Sequence, residues 1–534
     1  MNKVLKIAFL LVLVIIGISS CKKKDLNTKV SNTTNWSFNN PNSTNFEALA
    51  GVTNLTPPGM IPIQGGTFMV GERDEFVVAP RDASQRSVTV SSFYMDKYEI
   101  TNLNWREYMH WLDVVFGFTA PELVDKAKPD TTVWREELAY NEPYLENYLR
   151  HPAFSFYPVV GVSWEQAMRY CQWRTDRVNE LALVNAGAID NPPFQELKAT
   201  DDESYKDEWE TNNEGYYMDS YEVTDPNDPT NTITMYRVPF EYIRDKFVFN
   251  TEKYLYDKNY QPALGKRPRT NIYEQPRKVT RADGILVVGY RLPTEAEWEF
   301  AAYAPVAGEN GLTVEGKVYP WSGYHPRNLT NKQRGQLNAN FVRGRGDMMG
   351  VSGALNDKYV ITAPVDAFMP NDFGLYNMAG NVNEWVMDVY RETTNQETSE
   401  YNSFRGNIYS KPKMIEGEDG TKRYVLDSLG MFALEFSGED DKRDYKDGDF
   451  QSILDTDYPL DTVGIENLAE LKTDPSDILA PRITKNTRVY KGGSWRDRIY
   501  WLNPSTRRYL EQDKSSSTIG FRCAMSTVGN QIEP

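Results

Sequence analysis

Nucleophiles and soft metal ligands are scarce in this chain. It has three cysteines, Cys21, Cys171 and Cys523, and three histidines, His110, His151 and His325. No two histidines lie within helical or hairpin spacing of each other, so a three-histidine iron site cannot be assembled locally. His110 falls off the Trp105, Tyr108, Met109 stripe and reads as a surface residue. Ser494, in KGGSW at Lys491 to Trp495, has no identifiable His or Lys base and reads as a turn serine. Oxygen donors are better supplied. LYNMAGNVNEW, Leu375 to Trp385, gathers asparagines, a carboxylate and glycine-flanked carbonyls.

The elements that would position these groups are short and interrupted by turns, as 35 Gly and 30 Pro imply. Ser163 and Gln166 form a capping box opening a helix that carries Cys171 on the apolar stripe of Trp164, Ala167 and Met168, which favours a buried structural thiol. TEAE at Thr294 to Glu297 caps another helix, and the β-branched runs Val88 to Val90 and Ile285 to Val288 predict strands.

The N-terminus carries an address. Lys3 and Lys6 precede an apolar run, Ile7 to Ile18, too short to span a bilayer and shaped like a signal peptide's hydrophobic region. Ile18-Ser19-Ser20-Cys21 then reads as a lipobox: residues 1–20 are the lipoprotein signal peptide and Cys21 is the lipidated residue. The alternative is a cleaved soluble secretory protein with an incidental cysteine. Two or three acyl chains on one residue anchor firmly. Residues 21–58, rich in Asn, Thr and Ser, form a flexible tether, because so few aliphatics cannot offset the entropy of ordering. Lys22 after the lipidated cysteine leans towards the outer membrane, with a periplasm-facing placement expected. The net charge of −16 and pI near 5.0, with no basic block beyond Lys22 to Lys24, exclude nucleic acid as a partner.

Several segments, in order, resemble the formylglycine-generating enzymes, or sulfatase-modifying factors. They are GMIPIQGGTFMVG (Gly59 to Gly71), similar to the family's opening hairpin, SSFYMDKYEITNLNWREYM (Ser91 to Met109), PVVGVSWEQAMRYCQW (Pro158 to Trp173), RLPTEAEWEFAA (Arg291 to Ala302), TAPVDAFMPNDFGLYNMAGNVNEWVMDVY (Thr362 to Tyr390), and KGGSW with GFRCA (Gly520 to Ala524). The resemblance implies an α+β, loop-rich fold related to C-type lectin domains, spanning residues 59–527 before a tail at 528–534. Long insertions are expected near 112–157, 179–283 and 391–486; the first includes the helix-like WREELAYNEPYLENYLRHP. Their Tyr and Trp beside charges suit protein interfaces.

The family's two reactive cysteines align with Asp497 and Leu502, which cannot form a thiolate, bind Cu(I) or exchange a disulfide. The resemblance therefore implies a pseudoenzyme without copper. It also implies structural calcium: one site at Asn377, Gly380, Val382 and Glu384, and a second at Asn340, Phe341, Asp357 and Tyr359. Cys523 sits in the family's closing strand motif, and a Cys171–Cys523 disulfide stays open because sequence does not place their Cα atoms. Lipobox, Asn-rich tether, long insertions and cysteine-free KGGSW segment most resemble the gliding-motility and type IX secretion lipoproteins, GldJ type first and GldK/PorK type second. That resemblance implies a scaffold whose partners are motility and secretion lipoproteins and ring subunits of the GldK/GldN type. The alternatives are a cryptic formylglycine-type oxidase or sulfoxide-synthase-like enzyme, or a ligand-binding surface lipoprotein.

Overall fold

The structure, a computed structural model, describes most of residues 57–528. Residues 1–29 and 43–56, most of 391–485 and 529–534 lie outside the described residues, as do shorter stretches near 72–84, 191–199, 225–231, 306–316, 329–334 and 345–354. Cys21, the signal peptide and most of the tether and third insertion therefore fall outside the described residues.

Strands β1 (Met60–Ile63) and β4 (Phe93–Asp96) pair antiparallel, and β4 also receives β17 (Ala524–Ser526), so the start and end of the domain close one three-stranded sheet. The expected opening hairpin divides. β2 (Gly66–Val70) pairs with β3 (Arg86–Val90), not with β1. The break falls at Gly65, whose amide bonds Ser92 Oγ at 3.0 Å and whose Cα packs so close to the Val90 carbonyl that a Cβ would sit 2.2 Å from it. A second sheet has the order β15–β14–β9–β16, from β9 (Asn383–Val389), β14 (Thr487–Lys491), β15 (Arg508–Glu511) and β16 (Ile519–Gly520), with β16 parallel to β9 and the other pairs antiparallel.

Helices cover these sheets. α1 (Asn102–Phe116) is opened by a Thr101–Asn104 capping box and buries Trp105, Tyr108 and Leu112, one stripe at helical spacing. α2 (Pro121–Ala127) follows it. The helix-like WREELAYNEPYLENYLRHP is broken: a 3₁₀ turn ends at Trp134, α3 (Glu142–Asn147) starts with Pro143 in its first turn, and Pro152 opens another 3₁₀ turn. Proline fits only the first turn of a helix, which explains the interruptions. α4 (Trp164–Ala186) shows the expected box, with Gln166 N donating to Ser163 Oγ at 3.2 Å and Ser163 N to Gln166 Oε1 at 2.9 Å.

Within the second insertion lie α5 (Glu203–Asn212), a hairpin of β5 (Asp219–Thr224) and β6 (Thr232–Arg237), α6 (Phe240–Lys246) and α7 (Thr251–Tyr256), and the described residues of the third insertion form two short antiparallel pairs, β10 (Ser410–Pro412) with β13 (Leu434–Phe436) and β11 (Met414–Glu416) with β12 (Lys422–Tyr424). The second insertion is pinned to α4 where Thr251 N donates to Asp176 Oδ1 at 2.8 Å and Arg177 donates to the Phe249 carbonyl at 3.0 Å. Ile285 to Val288 is not a strand. Val287 N donates to the Asn179 side chain at 2.8 Å, so the backbone there is satisfied without a ladder. α8 (Glu295–Tyr303) is capped by Thr294 and Glu297 as expected and is buried along nearly its whole length.

Two aromatic-centred clusters form the main core. Trp105 stacks on Tyr170 at 5.4 Å and meets Phe521 edge-on at 5.9 Å, tying α1 and α4 to the closing segment. Trp298 and Phe300 of α8 pack with Val90, Phe93, Met95 and Val489. Truncating either tryptophan to alanine costs about 3–5 kcal/mol. Chain contacts define two compact units, residues 56–180, 192–261 and 287–534 forming the larger, and 1–55, 181–191 and 262–286 the smaller. The smaller unit holds a bridge between Ile189 and Leu264 and the short hairpin of β7 (Arg269–Thr270) with β8 (Pro276–Arg277). Among the described residues no helix is long and apolar enough to cross a membrane.

Candidate functional site

KGGSW leaves the end of β14 in a turn that few sequences could make. Gly492 and Gly493 have φ of +102° and +72°, and a Cβ on Gly493 would lie 2.8 Å from the Trp501 carbonyl. The turn delivers Ser494, whose hydroxyl and amide both donate to Asp497 Oδ2, at 2.6 and 2.9 Å. Ser494 is therefore a turn serine, as its lack of a base implied.

Asp497 is held from three elements. Arg508 of β15 donates through both terminal nitrogens at 2.7 Å, a bidentate pair, and Asn383 of β9 donates weakly at 3.4 Å while bonding Arg508 through its Oδ1. Arg508 also lies 4.5 Å from the Trp501 ring centre and 5.1 Å from that of Tyr490. Burial alone would raise the Asp497 pKa, but the hydrogen bonds and charge of Arg508 hold it below the usual carboxylate value. Leu502 is completely buried among Tyr319, Leu337, Ala339 and Phe341. At positions 497 and 502 the chain thus has a carboxylate neutralised by Arg508 and a core side chain. Neither side chain carries a thiol.

Buried ion pairs fix the segments on either side. Lys491 is inaccessible and donates to Glu299 at 2.8 Å and Glu295 at 3.2 Å. Arg507 reaches Glu295 at 2.7 Å. Arg522, within GFRCA, donates to both oxygens of Glu384 at 2.5 and 2.6 Å, both side chains having no exposed surface. Sequence reasoning assigned no role to Lys491, Arg507, Arg508 or Arg522. The signal was available for two of them, since Lys491 and Arg522 are the charged members of otherwise small or apolar strand motifs.

The first calcium set is only partly suited to a cation. Asn377 keeps its Oδ1 buried without a hydrogen bond, as a ligand oxygen would be, while its Nδ2 donates to Glu99 at 2.9 Å. Gly380, at φ +78°, turns the chain where a Cβ would meet the Asn340 carbonyl, and Val382 is fully buried. Glu384, expected to bring the charge, is instead neutralised by Arg522 and also accepts from Trp298 Nε1 at 2.7 Å. The nearest second carboxyl is Glu99, which accepts from Asn377 and Asn381 and has its pKa raised to about 8 by burial and then by the charge of Glu384.

In the second set, Asn340 donates to the Ile361 carbonyl at 2.8 Å, and its own carbonyl accepts from Asn381 N at 2.9 Å, linking the two sets. Phe341 is buried in the Leu502 cluster. Asp357 is half-buried and accepts from Tyr359 N at 3.2 Å. Cys171 and Cys523 are free, buried thiols with sulfurs 3.5 Å apart, and burial together with Cys171 pushes the Cys523 thiol well up. His110, His151 and His325 are all exposed, His110 as expected.

Residues 45–428 match the family model of the sulfatase-modifying factor enzyme 1-like domain. Shorter stretches match curated proteins. The chain is 36% identical to the formylglycine-generating enzyme of Mus musculus over 129 residues, which are 24% of this chain and 30% of that protein. It is 45% identical to the formylglycine-generating enzyme of Thermomonospora curvata over 100 residues, 19% of this chain and 27% of that one. It is also 41% identical to the inactive C-alpha-formylglycine-generating enzyme 2 of Bos taurus over 104 residues, 19% of this chain and 28% of that one. Each match therefore spans less than a third of its relative's length. With the α+β, loop-rich fold and the ordered motifs, the match over residues 45–428 shows that this chain belongs to the sulfatase-modifying factor enzyme 1-like domain family.

Proposed function

We propose that this chain is a non-catalytic member of its family, a lipid-tethered docking body whose former reaction centre has become a structural joint. The observation that carries this reading is the Asp497–Arg508 pair. A carboxylate held bidentate by an arginine and capped by Ser494 stands at the first thiol position, and Leu502 fills core space at the second. The identity to the inactive relative of Bos taurus supports it. The test is aldehyde formation on cysteine-containing peptides, with and without copper, read by mass spectrometry. No product above a no-protein control is expected, and turnover above it would overturn the reading.

Identity to the active enzymes of Mus musculus and Thermomonospora curvata favours a second reading, oxidation of peptidyl cysteine with other ligands, and the same assay separates the two. The finer part of the proposal is anchoring through Cys21 in the outer membrane, facing the periplasm, as a scaffold for gliding-motility or type IX secretion lipoproteins and ring subunits. The lipobox, the tether and the long insertions support it. Co-purification from mild detergent with such components is the expected result; their absence would remove the scaffold role.

A further inference from the structure

Between α1 and α4 the surface opens into two adjoining cavities, of about 290 and 100 Å³, that share Tyr108, Leu112 and Arg169. The larger has an apolar floor of Leu112, Leu123 and Ala127. The smaller is walled by Trp111, Phe116 and Trp173. Most polar groups around them are already committed. Asp130 accepts from the Thr132 amide and hydroxyl, Glu165 from Gln512 Nε2 and Asp176 from Thr251 N, Asp513 faces Lys514, and Lys128 pairs with Asp125. The start of α4 is capped by its own Ser163–Gln166 box and offers no free first turn.

What remains uncommitted is a set of donors. Lys126 and Arg169 make no ion pair with any described residue. Tyr108 is only 5% exposed, yet its hydroxyl has no hydrogen bond among the described residues. In the adjoining chamber Trp173 Nε1 is buried without a partner. The Trp173 indole N–H is buried and unsatisfied, while the Tyr108 hydroxyl opens on the cavity and, with Lys126 and Arg169, forms a set of donors that an acceptor can take up. Two cations and a phenol over an aliphatic floor, beside an aromatic chamber, fit one negative charge on an apolar body better than a compact dianion, which Asp130, Glu165 and Asp176 would repel.

We propose that this cleft binds the free C-terminal carboxylate of a peptide ending in an aromatic residue. The carboxylate lies between Arg169, Lys126 and the Tyr108 hydroxyl, and the aromatic side chain fills the chamber lined by Trp111 and Trp173. The site is remote in sequence from Asp497 and does not depend on whether that position is inert. Burial keeps the Tyr108 phenol protonated, its pKa pushed up to about 12, so it stays a donor throughout the neutral range.

The experiment is calorimetric titration of the full chain in detergent with N-acetyl-L-tryptophan, its C-terminal amide, and inorganic phosphate. Saturable binding of the acid is expected, with the amide and phosphate each at least about tenfold weaker, the factor that 1.4 kcal/mol gives. Arg169→Gln, at an exposed position, and Tyr108→Phe should each weaken the acid several-fold, with unchanged melting of Arg169→Gln showing an intact fold. No heat with the acid at millimolar concentration would overturn the proposal. So would equal affinity for the amide or phosphate, or full binding by a folded Arg169→Gln.

Discussion

Asp497→Asn separates charge from shape at the junction between the KGGSW turn and β15. Wild-type Asp497 takes two hydrogen bonds of 2.7 Å from Arg508 and one of 2.6 Å from Ser494, with side-chain exposures of 16% for Asp497 and 19% for Arg508. Breaking a fully buried ion pair costs roughly 3–5 kcal/mol and an exposed one less than about 1, so this mostly buried pair falls between. Arg508 retains its stacking on Trp501 and Tyr490, which softens the loss. The substitution should therefore cost about 2–3 kcal/mol, or roughly 5 °C in Tm for a domain of this size.

The pH dependence gives an independent check. Arg508 holds the folded carboxyl below its unfolded value, so the stabilisation is complete above an unfolded pKa of about 4 and is lost as pH falls through the folded pKa. Calorimetry of wild type, Asp497→Asn, Arg508→Gln and the double variant at pH 7 and pH 3.5 would measure both. Coupling of at least about 1.5 kcal/mol is expected at pH 7, shrinking at the lower pH. Melting of Asp497→Asn within about 1 °C of wild type at pH 7 would refute the reasoning.

Three further outcomes follow from the buried groups. Mild oxidant should join Cys171 to Cys523, whose sulfurs are 3.5 Å apart, removing two titratable thiols in denaturant and sparing the Cys171→Ser variant; unchanged thiol counts would show that the pair cannot close. Glu99, with its pKa raised to about 8, holds a proton in the fold that the unfolded chain has released, so its contribution falls as pH rises from about 4.3 to 8. In chelator, Glu99→Gln should flatten that decline and melt at or above wild type at pH 8, whereas parallel curves would contradict the assignment. Calcium at a hundredfold excess over Kd should stabilise the wild type by about 2.7 kcal/mol and Asn377→Ala much less. Identical wild-type melting in calcium and in chelator would leave the Asn377 region as packing alone.

The parts of the fold legible in the sequence are those set by local rules. The capping boxes at Ser163 and Thr294 and the Val88 to Val90 strand needed only a few neighbouring residues to specify them. The opening hairpin and the Ile285 to Val288 strand misled because their outcomes depend on distant partners: β4 captures β1, and Asn179 satisfies Val287. Asp497 and Leu502 were legible as residues without thiol chemistry, but their structural roles were not. Arg508 lies eleven positions from Asp497, and nothing in that spacing announces that β14 and β15 will pair and bring them together. Glu384 shows the same limit. The family resemblance placed it in a calcium site, and only the three-dimensional fold reveals that Arg522, 138 residues away, occupies it.

The KGGSW segment supports the core independently of any chemistry beside it. Lys491 anchors β14 to α8 through Glu295 and Glu299, and Gly493 permits an approach to Trp501 that no side chain would allow. These constraints belong to the core and operate whatever residue stands at 497. A small apolar residue there would leave the Ser494 hydroxyl and amide and the Arg508 guanidinium without their acceptor, at a cost of about 1–3 kcal/mol for each unpaired group. An aspartate meets all three with one side chain, and a leucine at 502 fills the volume beside Phe341. Both side chains therefore contribute to the structure by being buried where they stand.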